Sequence, residues 1–192
     1  MSLKLIRGLA LGLSALILAH APEGRAQDAD TSNPLSMGNV LHLGVARICV
    51  PVMQEGESVE ATATAIGFQP MSAELAVQMG SAPNIQWFMY PTDALIFMVS
   101  RNEEVEGTPC TIAAIMKQAD AGDAYGMVSI WVAAQSPPYS LVASPDKTSQ
   151  DRVWKWQREI NSTLQVLELT QTLGGDDMAI GVLRLGLLPL PK

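Results

Sequence analysis

The chain is short of the residue types that most chemistry needs. Only two cysteines and two histidines occur in 192 residues, and aromatic side chains make up 5 %. Two cysteines exclude both the dense staple network of a miniprotein and a four-cysteine zinc site. Basic residues are scarce as well: 12 against 19 acidic ones leave a net charge of −7. Binding nucleic acid begins with neutralising phosphates, so a nucleic-acid partner is not expected. Charged residues reach only 16 % and hydrophobic ones 48 %, a composition that folds rather than stays disordered. The motifs G-x-S-x-G and S-x-x-K, which would mark a nucleophilic serine, do not occur, nor do the two glycine-rich phosphate loops.

What is present begins at the N-terminus. Lys4 and Arg7 precede Leu9 to Ala19, an uncharged apolar run with five leucines. A basic start followed by 7–15 apolar residues is the pattern of a secretory signal peptide, whereas a membrane span needs about 20. Cleavage is expected after Ala26, at Gly24-Arg25-Ala26, with the A-x-A site ending at Ala21 as the alternative; Pro22 directly after that cut disfavours it. Residues 1–26 therefore read as a cleaved signal peptide. Residues 27–35 form a polar lead-in, 36–188 a single domain, and 189–192 a tail. Lys4, Arg7 and Arg25 leave with Glu23, which takes the net charge from −7 to −9. His20 leaves too, so His42 is then the only histidine. The expected location is periplasmic or extracellular, with no transmembrane span after cleavage.

In the domain, Ser36 suits an N-cap for a helix that Pro51 is expected to stop. Ser58 to Ile66 and Ser72 to Met79 read as two further short helices, closed by Gly67 and Gly80. Residues 85–90 and 94–99 flank Pro91-Thr92-Asp93 as a β-hairpin whose second strand is apolar on both faces. Residues 101–109 form an acidic loop, and 110–116 a third strand. Asp120 to Gln135 is read as a helix, although Val128, Ile130 and Val132 alternate as a strand would. Three or four more strands follow, at 140–143, 152–158, 163–172 and 178–187, and the proline-rich tail is expected to end the ladder. The fold class is α+β: N-terminal helices, then a mainly antiparallel sheet of about six to seven strands with one intervening helix.

Cys49 and Cys110 are expected to pair, since two cysteines in an oxidising compartment most often do. The competing reading is a free thiol with His42 as its base. His42 lies seven residues before Cys49, about 10 Å along a helix axis, too far for direct contact. One histidine without a spare thiolate leaves a transition metal only carboxylates and water, so no metal site and no cofactor are expected. Residues 28–39 start like a calcium loop, but they lack its glycine and place Asn39 where glutamate is required. The methionines read as core filling rather than as a copper site. Gly174-Gly175-Asp176-Asp177 reads as a turn, and Asn161-Ser162-Thr163 fits the N-glycosylation acceptor pattern.

Arg152 to Arg158 alternates so that Trp154 and Trp156 share one face of a strand. Facing outward, the two indoles would form a stacking platform for sugar rings; facing inward, they belong to the core. Three functions remain open at this level. The first is an exported, non-enzymatic domain that binds a protein, glycan or other partner in the cell envelope. The second is a carbohydrate-binding module using Trp154 and Trp156, and the third a hydrolase built on dispersed carboxylates.

Overall fold

The computed structural model describes residues 36–78, 81, 85–92, 96–102, 105, 107–122, 124–145, 151–173 and 177–190. The signal-peptide and lead-in assignments, residues 103, 104 and 106 of the acidic loop, Asp123 and residues 174–176 lie outside them.

Ser36 caps helix α1 (Met37–Gly44) as expected: its hydroxyl accepts from the backbone N–H of Asn39 at 3.4 Å. Beyond Gly44 the helix widens instead of ending. Val45–Cys49 and Pro51–Glu55 are π-helical, and the N–H of Val50 reaches back to the Val45 carbonyl. Pro51 was expected to stop the helix but opens the second of these segments, where its missing N–H leaves no donor unpaired within the segment. The stop comes at Gly56, whose φ of 74° favours a residue without a Cβ. Helix α2 (Val59–Ala65) has Ser58 as its N-cap, and α3 (Ala73–Gln78) follows Ser72, whose hydroxyl accepts from Leu75 N–H at 3.2 Å.

The strands are β1 (Gln69–Pro70), β2 (Gln86–Tyr90), β3 (Ile96–Arg101), β4 (Cys110–Lys117), β5 (Ser140–Ala143), β6 (Asp151–Ile160), β7 (Thr163–Leu173) and β8 (Met178–Pro189). They form one sheet in the order β1-β2-β3-β4-β8-β7-β6-β5, with every neighbouring pair antiparallel. The eighth strand, absent from the sequence reading, is β1, two residues too short to carry a periodic pattern. β8 also runs on into the proline-rich tail, where Leu188 pairs with Leu164 and Pro189 with Thr163. A proline is tolerated there because the strand ends with it.

Between β4 and β5, α4 (Gln118–Ala121) and α5 (Ala124–Ala133) settle the ambiguous segment as helical. Val128 and Val132 lie four apart and are both buried, whereas Ile130 is exposed. The two valines therefore share one helix face at i, i+4 spacing, and Ile130 between them lies on the opposite side.

The core lies between the helices and one face of the sheet. Phe68 packs edge-on to Phe97, with ring centroids 4.9 Å apart, beside α2. α1 crosses β4 and β8 at close range. A Cβ on Gly44 would stand 2.9 Å from Ile112, and one on Gly181 would collide with the Met37 sulfur. Cys49 and Cys110 form the expected disulfide, with their Cα atoms 5.4 Å apart, and so tie the first π-helical segment to the start of β4. On the opposite face α3 covers part of β2 and β3, so β3 is buried on both sides as its apolar sequence implies. Farther along that face Glu168 bridges Lys155 (3.4 Å) and Arg184 (3.2 Å) in an exposed cross-strand row.

Candidate functional site

The β6–β7 hairpin turns through Asn161 and Ser162, both with positive φ (49° and 60°), which is the two-residue turn suited to strand twist. This places Ile160 opposite Thr163 and Arg158 opposite Gln165, all on the helix-covered face. The second π-helical segment lies over the end of this hairpin. Between them is a cavity of about 170 Å³ lined by Met53, Gln54, Ile160, Asn161, Thr163, Gln165 and Leu187. Gln54 and Asn161 are exposed at its rim, whereas Gln165 is 2 % exposed.

Behind Gln165 sits the least expected group of the core. Arg158 is only 7 % exposed, yet among the described residues no carboxylate pairs with it. Its Nε donates to Gln165 Oε1 at 2.7 Å, its Nη1 donates to the Pro137 carbonyl at 3.1 Å, and its guanidinium lies 4.4 Å from the Tyr139 ring centroid. A buried ion normally needs an opposite charge, since desolvation costs several kcal/mol. Here neutral oxygens and a ring face take that place.

Tyr139 completes the set by donating its hydroxyl to the same Gln165 Oε1 at 3.0 Å. Burial pushes the Tyr139 hydroxyl above its ordinary pKa, with Arg158 pulling the other way, so it is a stable donor. A guanidinium N–H can only donate, so the Gln165 atom it meets must be the oxygen. The orientation of this amide is thus fixed by chemistry. Its Nε2 has no protein acceptor among the described residues, and no buried side-chain nitrogen there lacks a partner. Nε2 is therefore not fully shielded from solvent, and Gln165 is one of the residues that line the cavity. The result is a rigid donor in a pocket of amides, a hydroxyl and three apolar side chains.

The residues singled out from sequence lie elsewhere. Trp154 and Trp156 are 8 % and 3 % exposed and face the helices. Tyr125 of α5 stacks over both, with centroids at 5.1 and 5.9 Å, so the inward arrangement is the one found. His42 is half-buried, 6.1 Å from the Trp131 ring, and burial holds its pKa below the ordinary histidine value. With Cys49 and Cys110 bonded to each other, it has no thiol to activate. Among the described residues no three histidines, cysteines or acids gather as a metal site. No described helix is long and apolar enough to cross a membrane.

A second cavity, of about 210 Å³, lies between α3 and the opposite sheet face and is mainly apolar. Met71 and Met98 line it, and Met89 pairs with Met98 across β2 and β3, so the fold gathers methionines that sequence separation had set apart.

Arg158, Gln165 and Tyr139 were missed in the sequence. Parity carried a signal for the first. Arg158 has the same strand parity as Trp154 and Trp156, so burying the tryptophans forces it inward too. Scans of protein-family models, of curated proteins and of solved structures found no match to this chain.

Proposed function

We propose that this protein is an exported, non-enzymatic binding domain that holds a small polar ligand in the cavity beneath its second π-helical segment. The observation that carries this reading is the Gln165 amide, pinned through Oε1 by two buried donors, in a residue that lines the cavity. A fixed donor among convergent polar groups, beside apolar walls, is how small-molecule sites orient a ligand. The residues lining this cavity offer amides and a hydroxyl rather than an acid, a thiol or a histidine. That chemistry favours holding a ligand over proton transfer or nucleophilic attack. Export is supported by the basic-then-apolar N-terminus and by the buried disulfide, which persists in an oxidising compartment.

Two measurements test the reading. Cell fractionation with N-terminal sequencing should find the protein outside the cytoplasm, starting at Gln27. Thermal-shift screening of that material against small polar metabolites should give a stabilising ligand whose effect disappears in Thr163→Phe, which fills the cavity. A cytoplasmic chain starting at Met1 would remove export. A ligand indifferent to Thr163→Phe would remove the site.

A further inference from the structure

The buried cation beside the cavity has a consequence for what the cavity binds. We propose that its ligand is a small monocarboxylate with a short apolar chain, an inference that rests on the cavity being a binding site. Arg158 brings one positive charge into the core, and no described carboxylate answers it. Gln165 stands between that charge and the cavity. Its oxygen is taken up by the guanidinium and the Tyr139 hydroxyl, which leaves its N–H groups as the donors this residue can offer to the cavity it lines. The amide dipole is thereby polarised, with its positive end toward the ligand. An oxygen bearing negative charge fits that end best, because charge-assisted hydrogen bonds are about twice as strong as neutral ones.

The other walls narrow the class. Thr163, Asn161 and Gln54 supply further polar groups near the rim, while Met53, Ile160 and Leu187 present apolar surface. A carboxylate head joined to a short alkyl chain satisfies both. The single charge of Arg158 matches a monoanion better than a phosphate dianion, which would enter a strongly acidic protein with half its charge unanswered. Butyrate, a carboxylate on a three-carbon chain, represents this class, and butyramide is its neutral isostere.

The test is calorimetric titration of the mature chain with butyrate, butyramide and inorganic phosphate. Butyrate should bind at least about tenfold more tightly than butyramide. Thr163→Phe, by filling the cavity, should abolish that binding. Gln165→Glu should abolish it too, because the new carboxylate supplies the counter-charge to Arg158 from within; its melting temperature should rise. Butyramide binding as well as butyrate, or phosphate binding in its place, would overturn the monocarboxylate inference and leave the cavity reading intact. Failure of all three probes up to about 10 mM, with the metabolite screen also blank, would remove both. Undiminished butyrate binding by the folded Thr163→Phe protein overturns the inference even if Gln165→Glu fails to fold.

Discussion

Arg158 and Gln165 are cross-strand partners, and the arginine Nε donates to the glutamine Oε1 at 2.7 Å. A buried cation is thus held by a neutral amide, which Tyr139 secures from the other side. Tyr139→Phe removes one of the two donors, while Arg158 still holds the oxygen. Urea denaturation should show a loss of about 1 kcal/mol. Arg158→Lys should cost more, about 1–3 kcal/mol. An ammonium cannot reproduce the fork that meets Gln165 and the Pro137 carbonyl together.

Trp156→Ala would leave a void beneath Tyr125, against which the indole now stacks. The expected loss of stability is about 3–5 kcal/mol, read by chemical denaturation. A variant as stable as the parent would show that this ring is not part of the core.

Gly181 and Met37 mark the closest approach of α1 to the sheet. Gly181→Ala should destabilise by about 1–3 kcal/mol through overpacking. Met37→Ala alone should also destabilise, by opening space over β8. The two together should cost less than the sum of the single changes, so a double-mutant cycle should return a favourable coupling. Strict additivity would show that the two residues do not press on each other.

The Cys49–Cys110 bridge closes a separation of 61 residues. Replacing both cysteines with alanine should lower stability by about 2–5 kcal/mol, from the freed unfolded chain. The effect should appear equally when the parent protein is denatured under reducing conditions.

His42 gives stability a pH dependence of definite sign. Its folded-state pKa lies below the ordinary value of about 6.5, because burial disfavours the charged ring. As pH falls below that value the unfolded chain takes up the proton first, so stability declines until the folded pKa is passed. The full contribution is present above about pH 6.5. Melting temperatures between pH 5 and pH 8 should show a decline toward acid that His42→Gln flattens.

Local signals in the sequence were reliable where a structure depends on near neighbours. The serine cap at Ser36, the helix start at Ser58 and the two-residue alternation of Arg152 to Arg158 are all decided within a few positions. Pro51 misled because a proline is tolerated in the first turn of a helical segment, and Pro51 opens the segment Pro51–Glu55. The strand-like alternation of Val128, Ile130 and Val132 competed with the helix reading because Val128 and Val132, four apart, share the buried helix face while the apolar Ile130 lies on the exposed one.

By itself the sequence determined the α+β class, the antiparallel strands from Ile85 onward and the pair of cysteines available to bond. It could not determine the cavity. That site depends on which strand meets which, on the second π-helical segment lying over one hairpin end, and on Gln165 meeting Arg158 and Tyr139 across distances of 7 and 26 positions. Such contacts follow from global packing, in which the two tryptophans draw an arginine of the same parity into the core. Only the tertiary structure decides whether such a charge is left uncompensated, because compensation is a property of space rather than of order along the chain.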